Sequence, residues 1–251
     1  MINEAINTLE KYFCKNSNTI EFLGSDVGVN LFIDFLKNGK TIACDAPDMV
    51  LLKDNVAIIV EHFEFDSSHT NRKGSSSRIE EARINREIRE KMAISSEYVH
   101  QDAINASCSY QDYVANVTKN FLHHYNQIEK YKQNLISKKI ITEDTIVKIM
   151  FLIEDVSPIG SIAFGNINGK AQKLPITLAQ CPEFLDLVER HDKIDFVLCC
   201  SYACDSEYVW FIDCDEVSAY REKQIDYANM RIFSNPVCVV EYRKIVSTGG
   251  D

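Results

Sequence analysis

The stretch from Thr41 to Asp66, TIACDAPDMVLLKDNVAIIVEHFEFD, limits what this chain can fold into more than any other. Val50-Leu51-Leu52 and Val56 to Val60 are apolar runs separated by Lys53-Asp54-Asn55. Asp and Asn tolerate positive φ, so the spacing predicts a tight hairpin turn there. The second run is apolar at consecutive positions, the pattern of a central strand covered on both faces. It then continues into Glu61-His62-Phe63-Glu64-Phe65-Asp66, where carboxylates enter a strand that should be short of water. Buried carboxylates need compensation, and a metal ion is one common form of it.

The hairpin register decides which acids meet. A two-residue turn at Asp54-Asn55 pairs Lys53 with Val56. Counting back, it sets Asp48 opposite Glu61, with both side chains on one face. A three-residue loop would instead pair Asp48 with Val60 and bring His62 and Glu64 to the Asp48 face. The two-residue turn is expected, because primed turns match the twist of the strands. Two carboxylates opposed in this way repel unless a cation or a proton lies between them.

Pro47-Asp48, followed after twelve residues by Glu61-His62-Phe63, resembles the PD-(D/E)xK nuclease superfamily. That superfamily carries Pro-Asp on one strand and acid-x-Lys on the next. The likeness spans roughly residues 19–91, including a helix before the hairpin and another after it. It implies a restriction-endonuclease-like α/β fold and a divalent-metal-dependent phosphodiesterase acting on nucleic acid. By the resemblance, Asp48 and Glu61 hold Mg²⁺ or Mn²⁺, and His62 adds its backbone carbonyl. The metal would lower the pKa of a bound water and stabilise the leaving oxygen. Phe63 stands where the family has its lysine, which steadies the attacking water and the developing charge. Two readings of the residues therefore stay open: a nuclease-like site, or a buried hairpin whose acids are paired by Arg or Lys. A nuclease-like binding or assembly module without chemistry is the corresponding functional alternative.

The polar segment Ser67 to Arg78, SSHTNRKGSSSR, follows the acidic strand end directly and reads as a mobile loop. Its Lys73 is the candidate replacement for the missing lysine, with Arg72 and Arg78 in reserve for a phosphate. Glu21 and Asp34 are candidates for an extra acid from the helix side. Glu64 is the reserve ligand should the register slip.

With 251 residues, 45% of them hydrophobic, the chain can bury a sizeable core, read here as a single domain over 1–251. The nuclease-like hairpin core covers 19–91, a helical excursion 79–139, and a strand–helix–strand part 140–251. Amphipathic patterns predict helices over residues 2–15, Val27 to Leu36 and Glu183 to His191. They predict a further helix with the stripe Tyr113, Val117, Phe121, Tyr125 and Ile128. Strands are expected at Val147 to Ile153 and Val237 to Tyr242, and Phe196 to Tyr202 and Tyr208 to Ile212 read as a strand pair about Asp205-Ser206. One mixed sheet with flanking helices fits this order.

The net charge of −10 and pI of 5.1 argue against a non-specific nucleic-acid coat. An acidic metal site with a local basic rim is compatible with them. The nine cysteines are odd in number and contain no CxxC, which suits small buried hydrophobes in a reducing compartment. MINEAINTLEKYF lacks a basic segment followed by an apolar one, and no apolar run approaches ~20 residues. A cytoplasmic protein without a membrane span is expected. No sequence feature specifies an oligomeric state. His123-His124 is a poor bidentate pair, because adjacent helical side chains diverge by about 100°.

Overall fold

The hairpin closes through a two-residue turn at Asp54 and Asn55, and Asp54 takes a φ of 52°. Lys53 pairs with Val56 and Met49 with Val60. The same count carries Asp48 to Glu61.

These details come from a computed structural model that describes residues 4–9, 20–23, 26–71, 74–94, 99–104, 109–157, 162–167, 170–203, 206–233 and 238–243. Its helices are α1 Glu4–Leu9, α2 Asp26–Asn38, α3 Ser76–Ile94, α4 Tyr110–Tyr125, α5 Ile128–Ser137 and α6 Pro182–Glu189. Its first seven strands are β1 Ile20–Leu23, β2 Lys40–Ala43, β3 Met49–Lys53, β4 Val56–Phe65, β5 Thr70–Asn71, β6 Gly74–Ser75 and β7 Val99–Ile104. The rest are β8 Ile146–Asp155, β9 Ile162–Ile167, β10 Lys170–Pro175, β11 Phe196–Ala203, β12 Ser206–Asp213, β13 Arg231–Phe233 and β14 Cys238–Arg243.

One seven-stranded mixed sheet runs β1-β12-β11-β8-β4-β3-β2. Its centre is parallel, with β8 between β4 and β11; β3 runs antiparallel to β2 and β4, and β12 runs antiparallel to β11 but parallel to β1. Strand β4 is covered on both faces, as its unbroken apolar run requires. Ala57, Ile59, Phe63 and Phe65 meet Tyr113, Val117 and Phe121 of α4 and Tyr131 and Leu135 of α5. Ile58 and Val60 meet Phe32 and Phe35 of α2 and Leu9 of α1. Each fully buried side chain of this kind contributes roughly 1.5–3 kcal/mol.

Helix α4 begins at a capping box. Ser109 Oγ accepts from the Asp112 N–H, and the Asp112 carboxylate accepts from the Ser109 N–H at 3.1 Å. This start places Tyr110, Tyr113, Val117 and Phe121 on the buried stripe. The expected stripe then breaks, because Tyr125 ends α4 and Ile128 opens α5.

Three expectations need correction. Ser67 to Arg78 is not a loop throughout: it holds the β5–β6 pair and the start of α3, with Ser67, Ser68 and Ser77 buried and His69, Thr70 and Asn71 exposed. The serines and Asp66 satisfy one another, so the segment needs no apolar side chain to pack. The Asp66 carboxylate accepts from the Ser68 N–H at 2.7 Å, from Ser75 Oγ at 2.8 Å and from Ser77 Oγ. Burial alone would push the Asp66 carboxyl up, but these donors outweigh it and hold it below the usual carboxylate range. The helical excursion over 79–139 is interrupted by β7. The last strand, β14, pairs with β7 instead of joining the main sheet. Of the helix expected over residues 2–15, Glu4–Leu9 is described; the rest lies outside the described residues.

Gly28 lets α2 pack closely on the ends of β11 and β12. A Cβ there would lie 1.9 Å from Asp213 Oδ2 and 3.3 Å from the Phe196 ring. Gly28→Ala should therefore destabilise the protein by about 1–3 kcal/mol in urea titration, despite the better helix propensity of alanine.

Candidate functional site

Beyond Val60, β4 outruns β3, so among the described residues its edge from Glu61 onward has no strand partner on that side. Two things cover it. Asp48, just before β3, accepts the His62 N–H on Oδ2 at 2.8 Å, and its own N–H reaches Glu61 Oε2 at 3.3 Å. Helix α4 covers the rest with residues four apart. His124 Nδ1 lies 2.9 Å from Glu61 Oε1, and Asn120 donates to the Glu64 carbonyl at 2.9 Å. Asn116 donates to the Asp66 carbonyl at 2.7 Å and to the Ser68 carbonyl at 2.8 Å. The 3.6-residue period turns these three side chains to one face.

Asp48 and Glu61 are thus brought together. Burial, reinforced by the neighbouring Glu61 charge, pushes the Asp48 carboxyl up against the lowering effect of the His62 N–H. Glu61 is buried, with Tyr131 Oη of α5 donating to Oε1 at 2.6 Å. The loop before Asp48 is tied to the same helix: Asn134 of α5 donates to the Ala46 carbonyl at 3.2 Å, beside a cis Ala46–Pro47 peptide.

Side chains of β4 alternate, so the even residues face away from this site. His62 Nε2 lies 2.8 Å from Glu154 Oε2 of β8, and parallel pairing sets Glu64 beside Glu154. Donor atoms of His62, Glu64 and Glu154 fall within 4.8 Å of one another. Burial works against a charge on His62, but the Glu154, Asp48 and Glu64 carboxylates outweigh it and push the imidazole up. The chain therefore carries two acid clusters at the end of β4, on opposite faces of the sheet. No family model, no curated protein and no solved structure matches this chain.

The other candidate residues fall in different places. The His62 side chain joins the opposite-face cluster instead of standing idle beside a carbonyl ligand. Glu64 belongs to that cluster too, with Arg78 Nη2 at 3.9 Å from its Oε2. Glu21 lies on β1, at the far edge of the sheet and separated from β4 by β12, β11 and β8, so it is not brought to Asp48 and Glu61. Its sequence neighbourhood reads as helix side, but parallel pairing with β12 decides its position. Asp34 is taken by Lys53. Arg72 and Lys73 lie outside the described residues. Sequence reasoning missed His124, Tyr131 and Glu154 as site residues. A polar residue in register with the stripe Val117, Phe121 was the available signal for His124. Tyr131 and Glu154 carry no local signal, because only α5 docking and β8 pairing bring them in.

Asp155, beside Glu154, points to the α4 face and is buried, with Oδ2 lacking a hydrogen-bond partner. Burial pushes its carboxyl up to about 6. The folded state thus holds a proton that the unfolded chain releases near pH 4, so this group's contribution to stability falls as pH rises from about 4 to about 6. In Asp155→Asn that fall should disappear, on the order of 2–3 kcal/mol across the window, read as the pH dependence of the difference from wild type in urea titrations. A second expectation concerns Glu61. Tyr131→Phe removes a buried hydrogen bond to a carboxylate and should cost about 1.5–3 kcal/mol by the same measurement.

Proposed function

We propose that the chain is a nuclease-like domain of the PD-(D/E)xK type, in which Asp48 and Glu61 hold a divalent cation for phosphodiester hydrolysis on nucleic acid. The observation that carries this reading is the meeting of the two carboxylates at the open end of β4, with Asp48 Oδ2 on the His62 N–H and Glu61 Oε2 on the Asp48 N–H. Helix α2 before the hairpin and α3 after it agree with the arrangement that the resemblance implies. The donor set suits Mg²⁺ or Mn²⁺, since both groups are carboxylates and Asp48 is only half-buried. A cation there would let both carboxylates stay ionised. It would also stabilise the folded state by mass action.

One observation favours the second reading, a binding or assembly module without chemistry. Phe63, at the lysine position, is 5% exposed and packed between Phe151 and His124, and among the described residues no lysine pairs with Glu61. The two readings separate experimentally. Mn²⁺ should raise the melting temperature of the wild type and show binding by calorimetry. Asp48→Ala should abolish both effects, whereas Glu154→Gln, on the opposite face, should leave them intact. Loss in Glu154→Gln with retention in Asp48→Ala would move the metal to His62, Glu64 and Glu154. Cleavage of plasmid, or of single-stranded DNA or RNA, with Mn²⁺ and not in Asp48→Ala supports the enzyme. Metal binding without any cleavage supports the module.

The described residues include no helix long and apolar enough to cross a membrane.

A further inference from the structure

We propose that His124 is the general base of this site, supplied from α4 in place of the lysine that position 63 lacks. The inference rests on the phosphodiesterase reading above. Residues 61 and 63 project to the same face of β4, so a lysine at 63 would have extended into the space that His124 occupies. Instead the Phe63 ring lies flat against the imidazole, with centroids 4.6 Å apart and planes 4° from parallel. Phe151 meets Phe63 edge-on at 5.5 Å, which locks that wall in place. The position that has lost its charge now orients an imidazole.

The tautomer follows from the partner. An ionised carboxylate only accepts, so the 2.9 Å contact with Glu61 Oε1 places the proton on His124 Nδ1. In the neutral ring, Nε2 then carries the lone pair. It has no hydrogen-bond partner among the described residues, yet it is not one of their buried unpaired atoms, so it opens on solvent. The side chain as a whole is 20% exposed. Glu61 divides its two oxygens. Oε1 takes His124 and the Tyr131 hydroxyl, while Oε2 faces the Asp48 N–H on the side assigned to the cation. A carboxylate that orients an imidazole through Nδ1 and leaves Nε2 as base is a recurrent hydrolytic arrangement. In the step, the water oxygen bonds to phosphorus as its proton passes to Nε2. The bond from phosphorus to the leaving oxygen breaks with its electron pair on that oxygen, which takes a proton from solvent.

The test uses the full chain with Mn²⁺, in wild type, His124→Asn and His124→Ala. His124→Asn keeps a donor for Glu61 and preserves the fold, which a matching melting curve checks. Both variants should lose about 10²–10⁴-fold in kcat with little change in KM, and added imidazole should restore part of the rate to His124→Ala. Mn²⁺ affinity by calorimetry should stay within about threefold of wild type, because His124 is not a ligand. Nitrogen-15 spectra of histidine-labelled protein at about pH 8 should show His124 as the Nδ1–H tautomer, a readout independent of turnover. Wild-type rate in His124→Asn, no rescue by imidazole, a tenfold loss of Mn²⁺ affinity or an Nε2–H tautomer would each overturn the assignment while leaving the phosphodiesterase reading standing. Absence of cleavage by the wild type overturns both.

Discussion

The pairing of β4 with β3 on one side and β8 on the other is the constraint on which the rest depends. Antiparallel pairing from Lys53–Val56 to Met49–Val60 brings Asp48 level with Glu61. Parallel pairing with β8 then brings Glu154 level with Glu64 and Asp155 level with Phe65. Because side chains alternate across the sheet, the same two registers sort the acids into two groups. Glu61 and Asp155 face α4 and α5, while Glu64 and Glu154 face the other way. A slip of one residue in either register would exchange the groups and turn Phe63 and Phe65 out of the core.

Carboxylates in such a strand must be compensated, and around Glu61 and Asp66 the chain does this with hydroxyl, imidazole and backbone donors, not with Arg or Lys. Glu61 receives a tyrosine hydroxyl, an imidazole and a backbone N–H. Asp66 receives three donors from a serine-rich turn. Neither of these bonds to an Arg or Lys. This separates the site from an ordinary buried ion pair, in which Arg or Lys would have neutralised the charge outright. A carboxylate held by hydroxyl and backbone donors keeps its negative charge available for a cation, and one held only by lysines would not. The arrangement around Glu61 is therefore compatible with metal binding even though the expected lysine is absent.

Helix α4 links fold and site. The Ser109–Asp112 capping box starts it, and Tyr113, Val117 and Phe121 bury it against the sheet. The adjoining polar row, Asn116, Asn120 and His124, then replaces the missing strand partner along the edge of β4. Backbone carbonyls that β3 leaves unpaired are thereby satisfied, and an imidazole is delivered to Glu61 by the same docking. The stability of the edge and the geometry of the candidate site are thus one set of contacts.

Much of this was legible in the chain itself. The Asp54-Asn55 turn, the unbroken apolar run of Val56 to Val60 and the hairpin register follow from local rules, because turn chemistry and side-chain alternation act over a few residues. So did the pairing of β11 with β12 and the helices α2, α4 and α6, whose apolar periods are strong. Tertiary structure alone decided the rest. The placement of Glu21 at the far edge depends on which strand β1 joins, and no local pattern encodes that choice. The serine-rich segment after Asp66 looked solvated because its residues are polar, yet polar groups that bond one another can be buried together. The partners of Glu61 come from residues 63 and 70 positions along the chain, and the neighbour of Glu64 from 90 positions along. Contacts of that range are set by how whole helices and strands dock, so the acids could be read from the sequence and their partners could not.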